Sequence, residues 1–178
     1  MRGLVIPLAL SILAHVVADF LFQTDAMVNE KNNGKMKGFL KHWCVVFGTL
    51  LVLMLPFKLT DVLMYCLVLS LFHILIDVFK AQIERERGPA TKFIMFVLDQ
   101  FMHLVLISFL LPISSFTVSR GFSSFIGWFS IHTGLDLPSL PLQRILVVII
   151  VYIYVLFAGA VFIRKLFDLI YKNVPDYL

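Results

Sequence analysis

Charge and phosphate-binding glycine loops are what this sequence lacks. Charged residues make up 15% of the 178 positions, against roughly 25% in an ordinary soluble domain. There is no glycine-rich phosphate loop, no low-complexity tract and no internal repeat beyond a four-residue echo described below. The two cysteines, Cys44 and Cys66, fall in apolar stretches without C-x-x-C spacing, which removes a disulfide framework and a thiolate zinc knuckle from consideration. Both are expected to be small buried hydrophobes. The opening MRGLVIPLALSILAHVVADFLF has a basic start but no small-x-small cleavage site, so it is expected to remain as a membrane span.

What is present is apolar surface. Hydrophobic residues reach 60% and aromatics 14%, with a mean hydropathy of +0.95, which marks an all-α integral membrane protein whose first partner is the lipid bilayer. Apolar runs long enough to cross a bilayer, about 20 residues each, lie near 3–24, 38–57, 60–82, 92–112 and 143–163, giving about five transmembrane helices. The stretch 113–142 carries Gly, Ser and Pro around Trp128 and fits an interfacial or re-entrant element. The expected organisation is a four-helix membrane core over 1–112, an outer segment over 113–142, and a fifth helix with a cytoplasmic tail over 143–178.

The net charge of +4 does not signal nucleic acid, because the basic residues sit in short loops between apolar runs. Alternate loops divide them unevenly. One side holds Lys31, Lys35, Lys37, Lys41, Lys80, Arg85, Arg87, Lys92, Arg164, Lys165 and Lys172; the other holds Arg2, Lys58, Arg120 and Arg144. By the positive-inside rule the richer side is cytoplasmic, the N-terminus faces out and the C-terminus faces in, across a cell's inner (plasma) membrane.

In that orientation the intramembrane polar residues gather in one layer. Counting inward from the cytoplasmic helix ends at 1.5 Å per residue, His15, Asp19, His42, His73, Asp77, Asp99 and His103 lie roughly 7–18 Å deep. Three pairs share one spacing: His15-x-x-x-Asp19, His73-x-x-x-Asp77 and the reversed Asp99-x-x-x-His103. Each pair falls one helical turn apart on one face.

A carboxylate near mid-span costs roughly 2.5–3.5 kcal/mol on insertion scales. No Lys or Arg is expected at this depth, since Lys80 and Lys41 should extend to the cytoplasmic surface. Shared protons or bound cations remain. Imidazole with carboxylate is the donor set of a divalent transition metal, zinc first and manganese or iron next. The candidate ligands are His15, Asp19, His73, Asp77, Asp99 and His103, with His42 a possible seventh at the edge of the cluster and Asp19 and Asp99 also the candidate catalytic groups. Gln23, Asp25, His42 and Gln100 are candidates to orient those ligands or to touch substrate. His–Asp hydrogen bonds that staple helices together, or a proton relay, are the readings left open. Glu30 is expected to be solvated and His132 unrelated to the cluster.

The segments LAHVVADFLFQTD, FLKHW, HILIDVFK and FVLDQFMH together resemble the small bacterial and phage membrane proteins of domain-of-unknown-function family 3307, over about residues 8–108. That family implies no activity. The H-x-x-x-D pairs in short membrane helices are also loosely similar to proteins labelled membrane-bound metal-dependent hydrolases. The expectation is therefore a metal-dependent hydrolase of a lipid-linked or amphiphilic substrate. A proton or divalent-metal transporter and a non-catalytic partner-binding module are the alternatives.

Overall fold

The computed structural model describes residues 4–171; Arg2, Lys172 and the end of the expected cytoplasmic tail lie outside them, while the last helix runs on to Ile170 rather than ending near 163. The described chain is helical, and its one β contact is an isolated antiparallel bridge between Phe57 and Val118. Its helices are α1 (Val5–Phe20), α2 (Asp25–Asn32), α3 (Met36–Leu53), α4 (Leu59–Glu84), α5 (Pro89–Leu110), α6 (Arg120–Thr133), α7 (Leu142–Ile153) and α8 (Gly159–Ile170). A π-helical turn, Tyr154–Ala158, joins the last two. Thus Leu142–Ile170 is one continuous run of 29 residues.

Local chemistry sets several boundaries. Thr24 caps α2 by accepting from the Met27 N–H at 3.3 Å, and Gly34 leaves the loop after α2 at φ +68°, a conformation glycine adopts without penalty. Pro89 occupies the first turn of α5, where its missing N–H costs nothing. The first helix stops at Phe20 rather than near 24. The Thr24 cap starts a new helix, bent 82° from the first.

Four helices, α3, α4, α5 and α7 continued through α8, are long and apolar enough to cross a membrane, and α1 makes a fifth only when taken with α2. Their outward faces carry large exposed hydrophobics such as Phe72, Phe79, Phe101, Phe109 and Val148, as lipid contact requires. The half of the bundle containing the α3–α4 turn is an apolar core, including Leu10, Val46, Leu50, Met54, Tyr65, Cys66 and Ile107. Ser11 and Tyr65 share a hydrogen bond of 2.7 Å inside it. Cys66 is buried as expected, but Cys44 is exposed; it lies on the α3 face that leaves the core open.

Residues 114–119 are moored to the α3–α4 turn. Lys58 N–H donates to Thr117 O at 2.8 Å, Ser119 N–H donates to Pro56 O at 2.9 Å, and the Asp61 carboxylate accepts from Thr117. Beyond this mooring α6 buries none of its residues and leaves Trp128 and Ile131 exposed. The opposite half of the bundle carries the basic loops and four of the five histidines, His15, His42, His73 and His103.

Candidate metal centre

Four helices bring the sequence-predicted residues together. α1 supplies His15 and Asp19, α3 His42, α4 His73 and Asp77, and α5 Asp99, Gln100 and His103. The four histidines are no more than 4% exposed and the three aspartates no more than 10%. Helical spacing alone gives two local contacts: His15 Nδ1 to Asp19 Oδ2 at 3.5 Å and His103 Nδ1 to Asp99 Oδ1 at 3.7 Å. The third pair is used differently, because His73 turns to Asp19 while Asp77 meets His42.

His42, expected at the periphery of the cluster, is fully buried at its centre. Its Nε2 lies 3.2 Å from His73 Nε2 and 3.4 Å from Asp19 Oδ1, and His73 Nε2 lies 3.3 Å from the same Asp19 oxygen. These three atoms form a nearly equilateral triangle. A tetrahedral ion with bonds of about 2.0–2.1 Å holds its ligands about 3.3–3.4 Å apart, so the triangle has the dimensions of one face of such a site. Asp77, Asp99 and His103 form a second group with ligand atoms within 4.8 Å of one another, and His15, His73 and His103 a third. The imidazoles of His15 and His103 stack with centroids 4.8 Å apart.

Two lysines correct the expectation that no cation reaches this depth. Lys31 Nζ lies 2.6 Å from Asp77 Oδ2 and also donates to Gln23 Oε1 at 2.8 Å. Lys80 Nζ lies 2.9 Å from Asp99 Oδ2, and Gln100 donates to that oxygen at 3.1 Å. Lys31 belongs to α2, which the sharp bend after α1 folds back over the cluster. Lys80 lies one turn beyond Asp77 on α4 and reaches inward to α5 instead of outward. Two of the three carboxylates are thereby matched, leaving Asp19 with imidazoles as its only basic neighbours within 4.0 Å among the described residues.

Unsatisfied polar atoms concentrate at the same end. Both ring nitrogens of His15, Asp19 Oδ1, His42 Nδ1, Asp99 Oδ1 and Gln100 Oε1 are buried without a hydrogen-bond partner. Buried polar atoms are ordinarily paired. Besides Glu84 Oε1 in the cleft wall and Ser130 Oγ on α6, the orphans belong to the His/Asp cluster and the adjoining Gln100, a donor set that suits a transition ion.

Above the cluster a cleft of about 540 Å³ opens at the basic end of the bundle, with Asp19, Asp77 and Asp99 at its floor. α2, α4, α5 and α8 form its walls through Lys31, Glu84, Phe96, Val161, Arg164 and Lys165, among others. Gln23, Asp25 and Gln100 also line it. Gln23 sits in the loop after α1, not on a further turn of that helix, and reaches the site through Lys31. Asp25 is exposed in the first turn of α2. Glu30 pairs with Lys41 at 2.9 Å, outside the cluster. His132 is exposed on α6, away from the cluster. On the far side of the histidines, a small void is walled by Val46, Leu50, Leu69, Leu106 and Ile107, with Ser11 the only polar side chain besides the histidines.

A family model described as "Protein of unknown function (DUF3307)" matches residues 7–129. That range contains every member of the cluster and ends within α6, so the last span, including the Arg164 and Lys165 wall of the cleft, lies beyond it. No curated protein and no solved structure matches the chain.

Proposed function

The chain belongs to this DUF3307 family, and we propose that it is a membrane-embedded, metal-dependent hydrolase acting on an amphiphilic substrate at the cytoplasmic leaflet. The observation that carries this reading is the triangle of Asp19 Oδ1, His42 Nε2 and His73 Nε2, set beside a cleft that opens at one end of the bundle. Asp19, His42 and His73 would hold the ion, zinc by its preference for this nitrogen and oxygen set, with manganese or iron as the next choices. A divalent ion held there would supply Lewis acidity to a reacting water or carbonyl group.

The protein's own groups do the rest. Asp99 lies at the cleft floor with Oδ1 free of hydrogen bonds, while Lys80 and Gln100 hold its other oxygen. It is therefore placed to receive a proton from an entering water. Lys31 holds Asp77 by an ion pair, with its Oδ2 also turned to His42. His15 and His103 stack beneath and fix the tilt of the rings above them. The hydrolytic site is assigned to the 1–112 core, with α8 adding a wall to its cleft.

The test is metal content. Protein purified in detergent without chelator should carry about one transition-metal equivalent, and His73→Ala should lose it. Cobalt substitution should give the intense visible absorption of tetrahedral coordination. Protein that neither retains nor takes up zinc or manganese, and that is unaffected by His42→Ala and His73→Ala in this respect, would leave helix stapling as the role of the cluster.

A further inference from the structure

The cleft changes chemistry along the last span. Phe157 and Val161 of that span line it together with Phe20 of α1, next to the Phe20 to Tyr154 edge contact at 6.3 Å. Lys165 follows Val161 by one turn on the same face, nearer the helix end, where Lys80 and Lys165 approach the Phe96 ring, with Nζ 5.9 and 5.8 Å from its centroid, and Arg164 also lines the cleft. Lys80 is committed to Asp99. Lys165 and Arg164 have no carboxylate within 4.0 Å among the described residues, although Lys165 is half-buried. Lys165 lies against the Phe96 ring and Arg164 is exposed, so both can turn their charge to an anionic group entering the cleft.

We propose that the cleft recognises a phosphate-bearing amphiphile, its phosphate held by Arg164 and Lys165 and its apolar chain lying along Phe20, Phe157 and Val161. This rests on the hydrolase reading for its purpose but not for its test, since recognition by α8 does not require the ion. Arg and Lys supply charge-assisted hydrogen bonds to phosphate oxygens, the Arg fork in two directions. The acidic residues of the cleft limit the ligand: Asp19, Asp25, Glu84 and Asp168 also line it and repel a polyanion, whereas one phosphate group can be shared by Arg164 and Lys165. The simpler account of Arg164 and Lys165, that they only fix topology, predicts no ligand selectivity.

The experiment uses the full chain in phosphatidylcholine nanodiscs, with pyrene-labelled phosphatidic acid as probe. Saturable binding is expected, displaced by unlabelled phosphatidic acid and at least tenfold less well by dioleoylglycerol or by inorganic phosphate. The double variant R164Q/K165Q should weaken binding at least tenfold, and the charge-conserving R164K/K165R should restore most of it. Removing two charges outside the cleft, in K35Q/K37Q, should change binding less than twofold. Because the readout is binding and metal content is measured separately on the same preparations, failure of the hydrolase reading and failure of this one are separable. Displacement by dioleoylglycerol as effective as by phosphatidic acid would overturn phosphate recognition. Equal displacement by inorganic phosphate would overturn the amphiphile, and equal losses in R164Q/K165Q and K35Q/K37Q would reduce the effect to general attraction.

Discussion

Replacing Lys31 by Met should destabilise the protein more than replacing its partner Asp77 by Asn. The ammonium lies 2.6 Å from the carboxylate, with the two side chains 11% and 5% exposed. At that separation and an effective dielectric near 20, their gross attraction is on the order of 6 kcal/mol. Desolvation offsets much of this, and removing one partner of a buried pair costs roughly 3–5 kcal/mol. The two single variants differ in what they strand. Asp77 sits within the 26-residue α4 and cannot leave the bundle, so Lys31→Met leaves a buried carboxylate facing only His42 and His103. Lys31 sits near the end of the eight-residue α2 and can carry its ammonium to the surface when Asp77 is neutralised. Lys31→Met should therefore cost about 3–5 kcal/mol and Asp77→Asn about 1–2 kcal/mol. The double variant should fall short of the sum by about 2 kcal/mol. Unfolding in mixed micelles of rising dodecyl sulfate content, with chelator present so that no ion replaces the ammonium, reads all three values. Equal single costs, or additivity within about 0.5 kcal/mol, would refute the buried pair.

Other expectations follow from neighbouring contacts. A Cβ added at Gly38 would meet Glu30 Cβ at 2.6 Å and Lys31 N at 2.9 Å, so Gly38→Ala should push α2 off α3, cost about 1–3 kcal/mol, and reproduce part of the Lys31→Met phenotype in the same unfolding assay. Orientation is checked by a cysteine at Asn33 in a Cys44→Ser background: an impermeant maleimide should label it only after permeabilisation. Labelling in intact cells would place the cleft on the outer face.

The convergence of the cluster was legible because helical periodicity and the positive-inside count are both one-dimensional. The first puts His15 and Asp19, or Asp99 and His103, on one face, and the second sets the depth of each residue along its helix. What neither gives is the rotation of one helix about its axis relative to the next. That rotation makes His73 the neighbour of Asp19 rather than of Asp77, and moves His42 from the periphery to the centre. The Lys31 contact was hidden for a different reason. Lys31 and Asp77 are 46 positions apart, and their meeting depends on the bend between α1 and α2. The Thr24 cap is a readable signal for α2, but the angle at which that helix returns depends on its seat against Gly38, a tertiary contact.

The two lysines also change what an ion must do. Three unpaired intramembrane carboxylates would cost on the order of 8–10 kcal/mol on insertion scales, enough to make a cation a condition of folding. With Asp77 and Asp99 matched by Lys31 and Lys80, that need shrinks to Asp19, whose basic neighbours are imidazoles able to share a proton or an ion with it. Compensation is thus built into the covalent chain at two of three positions. A fixed ammonium is a permanent counter-charge, whereas an imidazole and carboxylate triangle accepts either a proton or a metal. The place where the chain has left its own charge unmatched by a lysine is therefore the place where an exchangeable cation is most useful, and it borders the cleft from which a substrate would approach.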